Sequence, residues 1–119
     1  MVKVKISPTG IRNEFWRGQL KQDVRVPRHY ARIYLTRGVK NHPMWMEALA
    51  ALLAGPAQMD EGINPWGDCD MLKVSLGGEI FYLKVDCYGK AESMDQGTED
   101  PADDERTIRV FTCLLASEY

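Results

Sequence analysis

A chain of 119 residues, 45% of them hydrophobic, has the size of one domain and can bury a continuous core without disulfide or metal staples. No run approaches the roughly 18–20 apolar residues that span a bilayer, since the longest stretch, Met44 to Ala54, is broken by Glu47. The formal net charge of -2 excludes a strongly basic or acidic protein, but it is the near-cancellation of two unlike halves. Residues 1–40 hold ten basic side chains against two acidic, a surplus of +8, and the rest hold five against fifteen, a surplus of -10. The densest acidic run, Glu92 to Glu105, has seven acids and no basic residue. Such asymmetry bears on partners and association rates, not on fold.

Taken in chain order, Val2, Val4 and Ile6 alternate with Lys3 and Lys5, so residues 1–9 are expected to form an N-terminal strand or ordered arm. The segment has no long apolar stretch and no small-residue cleavage site, hence no signal peptide is read and a cytoplasmic location is expected. Pro8-Thr9-Gly10 breaks the alternation. Ile11, Phe15 and Trp16 or Leu20 then recur at helical spacing and predict a first helix. Ala31, Ile33 and Leu35 alternate with Arg32, Tyr34 and Thr36, which predicts a strand. Asn41 stands as a helix N-cap with Pro43 in the first turn, and Met46, Leu49, Ala50 and Leu53 form an apolar stripe ending at Gly55-Pro56.

A hairpin follows. Leu72, Val74 and Leu76 lead into Gly77-Gly78, where a two-residue turn needs positive φ, and Phe81, Leu83, Val85 and Cys87 share one face of the return strand. Beyond an acidic loop, Asp100-Pro101 opens a predicted last helix, with Asp103, Asp104 and Glu105 in its first turn and Ile108, Phe111, Leu114 and Leu115 as its stripe. The expected architecture is one α+β domain over 1–119, a three- or four-stranded, mostly antiparallel sheet with helices packed on one face.

Several segments in combination resemble a known family: Leu35-Thr36-Arg37-Gly38-Val39, the turn Asn64-Pro65-Trp66-Gly67-Asp68-Cys69-Asp70, the strand Tyr82-Leu83-Lys84-Val85-Asp86, Glu99-Asp100-Pro101-Ala102-Asp103, and Leu115-Ala116-Ser117-Glu118-Tyr119. Together they resemble the bacterial domain-of-unknown-function three-seven-six-eight family from about Ile11 to Tyr119, most closely after Ile63. The resemblance implies no activity. It does imply a proteobacterial setting, often on plasmids and other mobile elements, in which host-directed roles arise. The chain departs from the family pattern at two places. It reads Gly67-Asp68-Cys69-Asp70-Met71 where the family has Gly-Glu-His-Asp-Phe, and Asp86-Cys87-Tyr88-Gly89 where the family has Asp-Tyr-Tyr-Asp. Chemistry that needed that histidine is therefore in doubt.

The candidate chemistry is sparse. Asp68, Asp70 and Asp86, with Cys69, could approach a metal, but hard cations usually take about six or more oxygens and a loop of backbone-bonded aspartates is the simpler reading. A nuclease-like acid-x-Lys step has Lys84 but Tyr82 in place of the acid. Cys69, Cys87 and Cys113 are widely spaced with no CxxC pair, which supports neither a disulfide framework nor a zinc ribbon. His29 and His42 have no nucleophile in any recognisable motif and read as surface residues. Gly77-Gly78 is a turn, not a phosphate loop, and no cofactor is expected.

Binding is the better expectation. The leading one is a non-enzymatic protein-binding module, an inhibitor of a host nucleic-acid-handling defence complex of the anti-restriction or anti-CRISPR type. Glu99, Asp100, Asp103, Asp104 and Glu105 would supply its electrostatics, and Trp66 with Tyr88 its apolar anchor. The first alternative is nucleic-acid binding through Arg25, Arg28, Arg32, Arg37 and Lys84, with Tyr34, Tyr82, Tyr88 and Lys73 on the outward sheet face. The second is a small metal-dependent enzyme using Asp68, Asp70 and Asp86. Self-association is compatible with all three, and no membrane partner is expected.

Overall fold

The computed structural model describes residues 4–22, 25–60, 62–90 and 96–119. The chain order is α1 (Pro8–Lys21), β1 (Ala31–Leu35), α2 (Arg37–Lys40), α3 (Trp45–Ala54), β2 (Met71–Leu76), β3 (Glu79–Gly89) and β4 (Thr107–Leu115). The strands form one four-stranded sheet in the order β1-β4-β3-β2. β4 runs parallel to β1 and antiparallel to β3, and β3 is antiparallel to β2. The fold is therefore α+β with a mostly antiparallel sheet and helices packed on it, as expected. No described helix is long and apolar enough to cross a membrane.

The main correction is β4. The segment expected to be a last helix is instead a central strand, preceded by a single 3-10 turn, Asp104–Arg106. The strand's alternation is blurred because buried residues stand on both faces, Ile108 and Leu114 on one and Phe111, Cys113 and Leu115 on the other, while the charged Arg109 is itself fully buried. In TIRVFTCLL the residues Ile108, Phe111 and Leu114 fall at helical spacing by coincidence, while the β-branched and aromatic content favours the strand. The acids read as a helical first turn do cap something: the Asp103 carboxylate accepts from the Glu105 N–H at 3.0 Å and starts the 3-10 turn.

The hairpin forms in the expected register. Gly77 and Gly78 both have positive φ, 58° and 77°, which the tight turn between β2 and β3 requires. Residues 1–3 of the expected N-terminal strand lie outside the described residues, and residues 4–7 form no strand. They are an arm, tied by the Val4 N–H to the Met59 carbonyl at 3.2 Å and the Ser7 N–H to the Gly67 carbonyl at 2.9 Å. Pro8, where the alternation was expected to end, also begins α1, with Ser7 as N-cap accepting from the Gly10 N–H at 3.0 Å. Asn41 is likewise not an N-cap. It closes α2, whose own cap is Thr36, and α3 starts later, at Trp45.

The core lies between the helices and one sheet face. Ala31, Phe111, Cys113, Leu83, Val85, Phe81 and Leu72 project from the strands to meet Val39, Ala48 and Leu52. Met46 and Ala50, expected in the α3 stripe, face outward instead. The α1 stripe holds in part: Trp16 and Leu20 pack against the core. Ile11 and Phe15 are 52% and 44% exposed, and the buried face carries Gly10, Asn13 and Arg17. Arg17 donates to the Leu52 and Leu53 carbonyls at 2.8 and 3.2 Å, so a cation sits at the C-terminal end of α3, where free carbonyls and the helix dipole favour it. Glu14 holds the same guanidinium through two bonds of 2.6 and 2.8 Å.

Gly10 lets α1 dock on the loop before β2. A Cβ there would run into the Gly67 carbonyl oxygen and the Ile6 side chain. Gly10→Ala is expected to cost about 1–3 kcal/mol through overpacking, readable as a lowered midpoint in urea denaturation with an unchanged slope. The outer edge of β2 is covered by side-chain amides. Gln58 donates to the Lys73 carbonyl at 3.0 Å and accepts from the Lys73 N–H at 3.1 Å. Buried Asn64 donates to the Met71 carbonyl at 3.1 Å and accepts from the Asp70 N–H at 3.2 Å.

Candidate functional site

Side chains alternate across a strand, so the register decides which residues share the sheet face turned away from the helices. Opposite one another on it stand Arg32 and Tyr34 of β1, Val110, Thr112 and Leu114 of β4, Asp86, Lys84 and Tyr82 of β3, and Lys73 of β2. Tyr88, paired with Ile108, is on the same face near its end and makes an isolated bridge to Gly97. The outward face expected from sequence is thus assembled, and none of the described helices packs over it.

At the β1 side this face is basic. Arg28 donates to the Tyr34 hydroxyl at 2.8 Å and lies 5.7 Å from the centre of its ring. Arg32 is turned by a bond to the Arg28 carbonyl at 2.9 Å. Hydrogen bonds from Arg28 and Arg32 lower the Tyr34 pKa. Arg25 and Arg37 are exposed on the segments before and after β1, so four of the five cations named from sequence lie on or flank one strand, Arg25 and Arg37 toward its opposite ends. Lys84 is the fifth and stands apart on β3, in a 3.3 Å ion pair with Asp86.

At the β2 side the face opens into a groove of about 630 Å³ lined by Gln58, Asp60, Asp70, Lys73, Tyr82 and Tyr119, among others. The Tyr119 ring leans on Tyr82, with centroids 5.6 Å apart and planes at 57°. Burial, then the neighbouring charges of Asp68 and Asp86, raise the Asp70 pKa against a lowering by its own backbone N–H. Gln58 does not stand out in the sequence and Tyr119 does so only within the closing resemblance segment, because nothing in a linear pattern announces a loop amide or a closing tyrosine as groove walls.

The acids expected to face a partner are largely engaged within the fold. Asp104 binds Arg12 and Arg109. Arg109 is fully buried in β4, donates to Asn13 Oδ1 at 2.9 Å and to the Pro101 carbonyl, and brings Nη1 within 3.0 Å of Asp104 Oδ1 without hydrogen-bond alignment. Burial pushes the Asp104 pKa up, but Arg12, the indole N–H of Trp16 and Arg109 outweigh it and hold the carboxyl below its ordinary value. Asp103 and Glu99 lie 3.5 and 3.9 Å from Arg106, Glu105 accepts from the Tyr30 hydroxyl at 2.9 Å, and Asp100 caps the Ala102 N–H at 3.1 Å. Glu92 and Asp95 lie outside the described residues. Opposite signs from the two halves of the sequence therefore meet at this corner.

Trp66 is 80% exposed at the tip of its loop. Tyr88 is half-buried on the sheet, and no aromatic contact joins the two among the described residues. Asp68 accepts from the Ser7 hydroxyl at 2.5 Å, and its backbone carbonyl accepts from Asn13 at 2.8 Å. Together with the Lys84–Asp86 pair this separates the tasks of Asp68, Asp70 and Asp86, and no three His, Cys, Asp or Glu side chains among the described residues converge as a metal site. Burial raises the thiols of Cys69, Cys87 and Cys113 to about 11, which leaves them protonated and poorly nucleophilic at neutral pH. His42 is not a free surface residue. It is half-buried, its Nδ1 accepts from the Met44 N–H at 3.0 Å, and its ring meets Phe81 edge-on.

The segments that carried the family resemblance turn out to be joints of the fold. Glu118 accepts from the Thr36 hydroxyl at 2.6 Å, the Gly38 N–H at 3.1 Å and the Leu115 N–H at 2.8 Å, bringing the first and last segments together. Pro101 and Asp100 offer carbonyls to Arg109 and Thr107. No curated protein and no solved structure matches the chain. A family model described as a protein of unknown function, DUF3768, matches residues 35–118, which is most of the sequence, and the chain belongs to that family.

Proposed function

We propose that this protein binds single-stranded nucleic acid across the open sheet face. Arg25, Arg28, Arg32 and Arg37 contact phosphates, Tyr34, Tyr82 and Tyr119 offer rings to bases, and Lys73 and Lys84 continue the track across the sheet. The observation that carries this reading is the Arg28–Tyr34–Arg32 cluster on a strand edge, continuous with a sheet face bearing further tyrosines and lysines. Cations beside exposed rings on a sheet suit unpaired bases, which stack on aromatic faces while the backbone follows positive charge.

The test is fluorescence anisotropy of a labelled single-stranded oligonucleotide against salt. Wild type is expected to bind at low salt. The Arg28→Ala/Arg32→Ala pair should weaken binding at least tenfold and flatten the log–log salt slope by about 1.4, for two lost phosphate contacts on a single strand. Absence of a complex with either DNA or RNA at low salt would overturn the reading.

A second reading, a mobile-element-encoded inhibitor that docks on a host defence complex, is favoured by Trp66 at 80% exposure and by the outward Ile6, Ile11 and Phe15. Asp104 is removed from its contact set by the ion pairs with Arg12 and Arg109, and Glu99, Asp100, Asp103 and Glu105 remain with Tyr88. Under that reading Trp66→Ala abolishes capture of the complex, while Arg28→Ala/Arg32→Ala leaves it unchanged.

A further inference from the structure

β1 borders β4 on one side only, and the ladder fixes which of its backbone groups turn outward. The Arg109 N–H donates to the Tyr30 carbonyl at 2.9 Å, and the Thr36 N–H donates to the Cys113 carbonyl at 3.1 Å. Backbone groups of alternate residues point to the same side, so Tyr30, Arg32, Tyr34 and Thr36 direct theirs at β4. Ala31, Ile33 and Leu35 direct theirs away from it. The Ala31 N–H is taken by the Pro27 carbonyl at 3.2 Å. The N–H and carbonyl groups of Ile33 and Leu35 meet no hydrogen-bond partner among the described residues.

The strand ARIYL has no proline, and its register with β4 is unbroken by a bulge. What marks this margin is charge of one sign. From Arg25 to Lys40 the chain carries five cations and no acid. None of the five is in an ion pair among the described residues. Two of them, Arg28 and Arg32, gather at Tyr34, which is 43% exposed.

We propose that β1 accepts a further strand, an extended segment of a partner protein in which acids alternate with apolar residues. Strand addition satisfies the open amides of Ile33 and Leu35 through main-chain hydrogen bonds, and side-chain alternation sets the sequence that fits. Residues of the incoming strand opposite Ile33 and Leu35 turn their side chains to the helix side, where those two pack on the core, so apolar groups belong there. The residues between them turn to the open face beside Arg28, Arg32 and the Tyr34 ring, where negative charge is favoured. A second copy of this chain meets the same amides but sets Arg28 and Arg32 against their own like. Charge therefore selects the acidic partner. The inference stands on the edge and its cations and does not need the nucleic-acid reading. Arg28 and Arg32 are common to both ligands, which exclude one another there.

The probe is a labelled, end-blocked peptide of alternating glutamate and valine with a threonine at each end. It is read by anisotropy at low salt and by amide hydrogen exchange of the full chain. Wild type is expected to bind it, and saturation should slow exchange at Ile33 and Leu35 by about tenfold or more. N-methylation of a central valine, whose N–H faces β1, should weaken binding about tenfold, whereas N-methylation of a central glutamate, whose N–H points away, should leave it unchanged. Equal losses from the two methylations, or binding without protection at Ile33 and Leu35, would show attraction by charge alone and overturn the added strand. Protection that grows with protein concentration in the absence of peptide, together with a dimer in sedimentation, would give the edge to a second copy and overturn the acidic partner. Protection by a single-stranded oligonucleotide but not by the peptide would overturn it as well. The oligonucleotide assay described above contains no peptide, so each reading stands or falls without the other.

Discussion

Asp104→Ala is expected to lower the free energy of unfolding by about 3–5 kcal/mol, because it strands a charge inside the protein instead of removing one from its surface. Arg109 is fully buried in β4, and Asp104 is the anion beside it. Without that carboxylate the guanidinium keeps Asn13 and the Pro101 carbonyl but loses its counter-charge, and Arg12 loses its partner as well. Asp104→Asn should fall between wild type and alanine. The double variant Arg109→Met/Asp104→Leu should be far milder than Asp104→Ala, since removing both ions also removes the cost of desolvating them. Urea denaturation at neutral pH checks the order. The sign with pH follows from the lowered Asp104 pKa: its contribution is full above the unfolded-state value and is lost as pH falls through the folded one.

Phe111→Ala is expected to cost about 3–5 kcal/mol by leaving a cavity between sheet and helices. Phe111 is fully buried and sits in the middle of the central strand, opposite Ile33 on one side and Val85 on the other. Val110→Ala, one residue earlier but half-buried on the open face, should cost substantially less. This contrast between adjacent residues is the signature of a strand.

The legible parts of the fold are those where only one face is buried. β1 and the hairpin alternate, and Gly77-Gly78 marks the reversal, so their faces follow from the residue pattern alone. The inward Arg109 and the buried Ile108 and Leu114 of the other face hide the alternation of β4. In α1, polar anchors join Trp16 and Leu20 on the packed side: Asn13 and Arg17 turn inward to meet Arg109 and the end of α3, which no hydrophobic period reports. The candidate interface is half legible. Arg32, Tyr34, Tyr82 and Lys84 share a face because of strand pairing, and pairing follows from alternation. The placing of Asp70 and Tyr119 along the groove depends on how loops return to the sheet. The acidic run misleads for a related reason, since linear charge density says nothing of cations such as Arg12, distant in sequence from Asp104.

The amides of Gln58 and Asn64 along β2 have a consequence for assembly. They satisfy backbone groups at Lys73, Met71 and Asp70 that would otherwise template an incoming chain. β1, at the opposite margin, bonds to β4 on one side only, so Ile33 and Leu35 present amides outward. Two molecules joining through β1 would consume each other's open margin, so this edge permits a finite pair.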